Sequence, residues 1–408
     1  MVRPDWSLLP PELLEVIAEK VTSLADYIRF RAVCHPWRST SPPRPLHLPV
    51  QIPWLMLPYK TQGNADGGST RLFYDLSTSK IHSLDLPETH GVEICGSSHG
   101  WFVLHKGRVT SLFNPITPAT IPLPPYITPS SHLGLAPDGN DGLWNGVPFL
   151  ENWDDHYSSV RLTQTFIVKK AILTSSPLDT TSCFVIVFTS SRLELAFCKI
   201  GDKCWTVIRF KAYFTGGISD FTFSNGFLYT IDKHGSVTKY DLINPSKMIM
   251  GGGIDPYNKY LVCGDGVDGD VLLLSARRGR RNNVEKDVEW ECVYRVFKFS
   301  IDEELKWIEV NDVGKNVLFV GGIRHALSLS SANLQLPDWG ANCLYYSTQV
   351  PQSKSQFDPI PWFSNTKLIL VRVNNWTVTD VIGDFGSFQF NEYWNVQKMS
   401  FWLTPSLL

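Results

Sequence analysis

The strongest constraint on this chain is a turn that recurs. Phe221-Thr222-Phe223-Ser224-Asn225-Gly226-Phe227-Leu228-Tyr229 sets Asn-Gly between two runs rich in aromatic and β-branched residues. That dipeptide selects a two-residue β-hairpin, because both central positions need a positive φ. Asp232-Lys233-His234-Gly235 turns the chain again, and Ser236-Val237-Thr238-Lys239-Tyr240 alternates as a third strand. An earlier copy reads His99-Gly100-Trp101-Phe102-Val103, then Lys106-Gly107-Arg108-Val109, and a weaker one reads Gly269-Asp270-Val271-Leu272-Leu273-Leu274. Gly226 and Gly269 lie about one unit of roughly 42 residues apart, and Gly100 and Gly226 about three such units. Trp205 with Ile208, and Trp307 with Val310, mark a second recurring strand position. Four short strands in such a period make one blade of a β-propeller. The fold class expected is therefore mainly β, a degenerate propeller over residues 70–408, with a pair of β-sandwiches as the alternative. A body of about 340 residues corresponds to six to eight blades, and seven is the central expectation.

Composition agrees with a turn-rich, aromatic body: 29 glycines, 27 prolines and 14 tryptophans in 408 residues. Charged residues make up 19% and the net charge is −2, which argues against generic nucleic-acid binding. No apolar run approaches the length of a membrane helix, and Phe184-Val185-Ile186-Val187-Phe188 is strand-sized. The first residues lack the apolar core of a signal peptide. Eight cysteines without paired spacing read as reduced thiols of an intracellular protein, in the nucleus and/or cytoplasm. Asn375-Trp376-Thr377 matches a glycosylation acceptor but reads as part of a strand.

Several motifs imitate chemistry. Gly96-Ser97-Ser98-His99-Gly100 fits the nucleophile elbow of a serine hydrolase, which requires a helix immediately after the serine. Trp101-Phe102-Val103-Leu104 reads instead as a strand, so a hairpin turn explains the glycines better. Gly264-Asp265-Gly266-Val267-Asp268-Gly269 fits a dinucleotide fingerprint, but another strand follows it and its acids would repel phosphate. As a calcium loop it lacks the Glu at the twelfth position, where Ala276 stands. Cys95, His99 and His105 make a weak zinc set without a Cys-x-x-Cys knuckle, and Cys198 and Cys204 read as small hydrophobes. Arg277-Arg278-Gly279-Arg280-Arg281 could serve as a nuclear-import or anionic-partner patch, but reads more readily as a solvated loop between strands. No catalytic residue, metal or cofactor is expected.

One long segment stands apart. Residues 133–160 contain no Lys or Arg, five acids including Asp154 and Asp155, and the aromatics Trp144, Phe149, Trp153 and Tyr157. Aromatic residues on a long loop suit partner recognition, and the acids would prefer a basic target.

The first forty residues are different in kind. Pro10 and Pro11 suit a helix start, since proline's missing N–H costs nothing in the first turn. Leu13, Ile17 and Val21 fall at i, i+4 and i+8, flanked by Leu14 and Val16, with Glu12, Glu15, Glu19 and Lys20 on the other face. Ser23 with Asp26 resembles a capping box that begins a second helix through Tyr27, Ile28, Phe30, Val33 and Cys34, and His35-Pro36 is expected to break it before Trp37. A module of about forty residues rarely stabilises itself alone, so its apolar face needs either the rest of this chain or another protein. Five prolines in residues 41–53 continue as a spacer, taken to run over 41–69, and the first strand is expected at Arg71 to Leu76.

Leu-Pro-x-Glu-Leu-Leu at Leu9 to Leu14, Asp-x-x-x-Arg-Phe-x-x-Val-Cys at Asp26 to Cys34, and Trp37-Arg38 together resemble an F-box. By that resemblance Leu9, Pro10, Leu13, Ile17, Phe30, Val33, Cys34, Trp37 and Arg38 would support or contact a Skp-type adaptor. Cys95-Gly96-Ser97-Ser98-His99-Gly100-Trp101, Leu112-Phe113-Asn114-Pro115, Asn225-Gly226-Phe227-Leu228-Tyr229 and the Trp307 segment resemble a plant family that joins an F-box to a kelch-like, KIB-type propeller. The resemblance implies a non-catalytic substrate receptor of an SCF-type (Skp–cullin–F-box) ubiquitin ligase, with a protein target held on the propeller. A propeller scaffold that recruits no ligase is the alternative, and a serine hydrolase using Ser98 a remote one.

Overall fold

The computed structural model describes residues 5–43, 45, 47–58, 69–107, 109–125, 168–189, 194–209, 218–242, 248–251, 259–263, 271–280, 290–300, 306–321, 325–332, 334, 342–351, 363–372, 377–389 and 401–407. Its strands form six sheets arranged as the blades of a propeller. Blade 1 contains β1 (Trp54–Met56), β2 (Thr70–Asp75) and β3 (Lys80–Asp85), and its innermost strand is β25 (Phe401–Leu403). Blade 2 is β4 (Glu93–Ser98), β5 (Trp101–Lys106), β6 (Val109–Asn114) and β7 (Ala119–Pro122). Blade 3 is β8 (Val168–Leu173), β9 (Phe184–Thr189), β10 (Glu194–Lys199) and β11 (Thr206–Arg209). Blade 4 is β12 (Ile218–Ser224), β13 (Phe227–Asp232), β14 (Val237–Asp241) and β15 (Met248–Gly251). Blade 5 is β16 (Lys259–Cys263), β17 (Val271–Arg280), β18 (Trp290–Ser300) and β19 (Lys306–Val310).

Blade 6 departs from the simple meander. It holds β20 (Asn316–Gly321), β21 (His325–Ser330), β22 (Cys343–Pro351), β23 (Phe363–Arg372) and β24 (Thr377–Gln389) in the order β21-β20-β22-β23-β24. The chain turns inward after β20 to lay β21 at the axis, then crosses back so that β22 runs parallel to β20. Every other pairing is antiparallel.

Six blades replace the expected seven. Gly100 and Gly226 are 126 residues apart, which divides neatly into three periods but spans only two blade steps. Residues 126–167, between the end of blade 2 and β8, account for the surplus. The extra strand of blade 6 absorbs still more chain. Two smaller expectations also change. Trp54–Met56, inside the stretch taken as a spacer, form β1 of the ring. The Arg277-Arg278-Gly279-Arg280 backbone continues β17, paired with Trp290 to Val293, rather than forming a loop.

The hairpin turns follow their sequence. Asn225 and Gly226 have φ of 47° and 82°, and His99 and Gly100 have 51° and 82°, the paired positive angles of a type I′ turn. Gly-x-Ser-x-Gly is therefore strand, turn and strand: Ser98 ends β4 opposite Trp101, with no helix behind it. The recurring tryptophans are staples between blades. Trp205, just before β11, donates its indole N–H to the carbonyl of Pro124 at 2.7 Å, beyond the last strand of blade 2. Trp307, in β19, does the same to the Gly235 carbonyl of blade 4 at 2.9 Å. Both rings are buried.

Replacing either tryptophan with Phe keeps an aromatic ring and leaves a buried carbonyl without its donor. Each change should cost about 1–3 kcal/mol, and since the two share no partner the costs should add. Urea denaturation at unchanged slope measures this; a midpoint unmoved by either change dismisses the staples.

Candidate functional site on the helical module

Three short helices precede the ring. α1 (Pro11–Lys20) begins with proline in its first turn, and α2 (Leu24–Ala32) is capped by Ser23, whose hydroxyl accepts the Asp26 N–H at 3.4 Å. The break expected at His35-Pro36 falls one residue earlier. Cys34 is extended, and Pro36 sits in the first turn of a third helix, α3 (His35–Thr40), that carries Trp37 and Arg38.

The module has an inside and an outside. Leu14, Ala18, Tyr27 and Phe30 form its core, with Leu9, Val21, Trp37, Leu48 and Leu407 packed against them. Phe30 and Trp37 pack tilted against each other with ring centres 4.6 Å apart, and the Trp37 indole donates to the Trp6 carbonyl at 3.0 Å. Tyr27 donates to the Pro42 carbonyl at 2.7 Å, and burial pushes its phenol up. Arg38 Nε donates to the Arg31 carbonyl at 3.2 Å, and Arg31 reaches the Ser41 carbonyl in turn, so the two guanidiniums tie α2 to α3.

The outside is apolar as well. Leu13 is 51% exposed, Val16 54% and Ile17 41%, and their i, i+3, i+4 spacing puts them on one face of α1. Trp6, Leu8, Ile28 and Val33 are exposed too. Seven large apolar side chains exposed on a module of this size are more than single scattered surface residues, and three of them share one face of α1.

The nine residues expected at the adaptor thus divide. Leu13, Ile17, Val33 and Pro10 are exposed; Leu9, Cys34 and Trp37 are half-buried; Arg38 is exposed and bonded inward; Phe30 belongs to the core. Sequence reasoning missed Trp6, Leu8, Val16 and Ile28 as exposed members. A helix wheel could have added Val16, one turn from Leu13, but nothing local marks Trp6. The expected recognition residues Trp144, Phe149, Trp153, Asp154, Asp155 and Tyr157 lie outside the described residues, as does the glycine loop at 264–269.

The module also touches the ring. Gln51 accepts the Leu24 N–H at 2.9 Å and donates to the Thr22 carbonyl at 3.2 Å. A crevice of about 150 Å³ separates α2 from blade 1, lined by Leu24, Gln51, Trp54, Asp75 and Pro405 among others. Asp75 is not a free ligand there. Burial raises its pKa, yet bonds from Ser77, Thr78 and His82 outweigh that and hold the carboxyl below its ordinary value. Its role is to shape the β2–β3 turn. Of the weak zinc set, Cys95 lies in the core between blades 2 and 3, its thiol pushed up by burial, and His105 bonds Thr110 at 3.2 Å. Among the described residues no group of three His, Cys, Asp or Glu is placed to hold a metal.

What the geometry defines is a six-bladed propeller preceded by a small helical module with an exposed apolar face. The family model described as the KIB1-4 beta-propeller matches residues 73–375, and the chain belongs to that family. The match spans most of the ring, from within β2 through β23, and stops short of the helices and of β1, β24 and β25. Curated relatives are F-box proteins of Arabidopsis thaliana. F-box protein SKIP23 is 26% identical over 349 residues, covering 78% of each chain. Putative F-box protein At5g55150 is 24% identical over 322 residues, also 78% of each, and F-box protein At2g26160 is 24% identical over 338 residues, 78% of this chain and 89% of that one.

Neighbours on one helix should therefore behave oppositely. Leu14→Ala opens a cavity at a fully buried site and should destabilise the module by about 2–5 kcal/mol. Leu13→Ala should change stability by about 0.5 kcal/mol or less. Hydrogen exchange of the α1 amides reads both; equal effects would contradict the inside–outside division.

Proposed function

We propose that this chain is the substrate-recognition subunit of an SCF-type ubiquitin ligase. The helices dock a Skp-type adaptor through Leu13, Val16, Ile17 and their exposed neighbours, and the propeller holds the protein to be ubiquitinated. The observation that carries the reading is the exposed apolar face on a module that already has a core of its own. F-box naming of the relatives supports it. The subunit's contribution to rate is proximity, bringing a bound lysine within reach of a charged conjugating enzyme, and asks for no reacting side chain. It acts inside the cell, in nucleus or cytoplasm, where its buried thiols stay reduced.

The target side rests on residues 133–160. Their aromatics would anchor a partner and their acids would select a basic one. The scaffold alternative has one observation in its favour: Leu48 and Leu407 complete the module's core, so the helices do pack partly on their own chain. That contact leaves the outward face unexplained, and the ligase reading accounts for it.

Leu13→Asp with Ile17→Asp should weaken adaptor binding at least about thirtyfold, the loss of a hot spot, with the circular dichroism spectrum unchanged. Trp37→Ala is unsuitable here because it also removes the contact with Phe30. Titration of the purified chain with a Skp-type adaptor decides; undiminished affinity in the double variant excludes this docking face. Alanine at Trp144 and Trp153 should abolish target co-capture while leaving adaptor binding intact, and target capture unaffected by both changes would exclude residues 133–160 as the target site.

A further inference from the structure

The residues that follow β25 make a second tie between the ring and the helical module, besides the connection that leads from α3 to β1. Phe401–Leu403 is the innermost strand of blade 1. The next residues leave the ring across the β4–β5 turn of blade 2. There Ser406 Oγ donates to the His99 carbonyl at 3.2 Å, and the Asn114 side-chain amide donates to the Ser406 carbonyl at 3.2 Å. Pro405 then borders the crevice beneath α2, and Leu407 enters the helical core beside Leu14, Ala18, Tyr27 and Phe30. A single run of seven residues therefore supplies an inner strand to blade 1 and a side chain to the core of the module.

The turn it crosses is shaped for its passage. A Cβ on Gly100 would stand 1.8 Å from Ser406 Oγ and 3.1 Å from the Thr404 carbonyl oxygen. Gly226 occupies the equivalent turn of blade 4 with the same φ of +82°, and a Cβ there would meet nothing within 4 Å. Glycine at 226 is required by backbone conformation alone. At 100 it is required by conformation and by the segment lying on it. The module's other supports, Leu48 and Gln51, lie on the connection between α3 and β1, whose Ile52 packs into the core shared by blades 1 and 6. Ser406 and Leu407 come from the ring.

We propose that residues 404–407 are a strap that holds the helical module on the propeller in one orientation, and that loss of the strap frees the module without opening the ring. The inference does not depend on adaptor docking. Under the ligase reading, the strap sets the direction in which the docking face points relative to a captured target.

Hydrogen exchange on the full chain tests it, with Gly226→Ala as the control for backbone strain. Gly100→Ala carries the same strain and also displaces Ser406; Leu407→Asp withdraws the strap from the helical core without touching the turn. The α1 and α2 amides should exchange about tenfold faster in Gly100→Ala and in Leu407→Asp than in Gly226→Ala. The β1 and β25 amides should stay as protected as in the control. Helix exchange at the control rate in both strap variants would overturn the proposal. So would acceleration of β1 and β25 together with the helices, since the strap would then be inseparable from ring closure.

Discussion

Everything in this molecule depends on three residue pairs. Trp54 faces Leu403, Leu55 faces Trp402 and Met56 faces Phe401, and through them a strand from residues 401–403 completes the sheet begun near residue 54. A propeller without that pairing is an open arc with sheet edges exposed at both ends, and exposed edges recruit other strands. The pairing is reinforced by what β25 buries. Trp402 packs edge-on to Phe319 of blade 6 at 5.0 Å, and Phe401 meets His325 of the same blade at 5.5 Å. All three residues of β25 are 2% exposed or less. The strand is short, so its contribution comes from large side chains shared with the neighbouring blade rather than from hydrogen bonds alone.

A closed ring creates a second problem at its axis. The innermost strand of each blade has one edge without a lateral partner, and its buried N–H and C=O groups still need bonds. The polar side chains near the axis meet that need. Asp220 accepts the backbone N–H of Phe221 at 2.9 Å and that of Leu261, in the next blade, at 2.8 Å. Lys170, from β8, pairs with the Asp220 carboxylate at 2.6 Å and donates to the Phe221 carbonyl at 2.9 Å. Three inner strands are joined by one buried ion pair whose charges are fully used, the condition under which such a pair is tolerable. His325 crosses to β4 and donates from Nε2 to the Ser97 carbonyl at 3.0 Å. Burial lowers its pKa to about 4, consistent with a neutral ring whose Nδ1 has no partner to stabilise a second proton. Where β4 and β8 approach, no side chain fits at all: a Cβ on Gly96 would lie 2.0 Å from the Ala171 carbonyl oxygen.

Legibility in the sequence follows the range of the interactions involved. The I′ turns at His99-Gly100 and Asn225-Gly226 were readable because their cause is local, a backbone angle that few residues tolerate. The Ser23 cap and the Pro11 helix start were readable for the same reason. Blade number was not, since it depends on how much chain lies between blades, and a spacing of 126 residues cannot say whether it holds three short units or two with an insertion. The inward turn of β21 in blade 6 leaves no local mark either. The same limit applies in the docking module. A stripe at Leu13, Ile17 and Val21 looks like the buried face of an amphipathic helix, yet the structure buries the adjacent stripe at Leu14 and Ala18. Periodicity identifies that a helix has an apolar side but cannot choose between two apolar stripes next to each other. The choice is made by Tyr27, Phe30 and Leu407, which meet Leu14 from elsewhere in the chain.

That choice explains how so small a module can afford an apolar exterior. A helix of ten residues is not stable alone, and its order has to come from packing. Leu14 and Ala18 supply that packing on one side, with Ala18 small enough to let the neighbouring elements come close. Leu13, Val16 and Ile17 are thereby released from any structural duty. Their large apolar side chains then matter for the surface they present. A surface held on rigid support loses less freedom when a partner binds than one on a loosely attached segment, so the same contacts yield higher affinity. For the proposed receptor, which would act by proximity, geometry matters as well as affinity. Effective concentration rises when two bound groups are held at a separation and angle the reaction can use, and falls when the connection between them swings. In the proposed receptor, a helical face tied to the ring by residues 404–407 as well as by residues 41–53 would meet that condition better than the single connection.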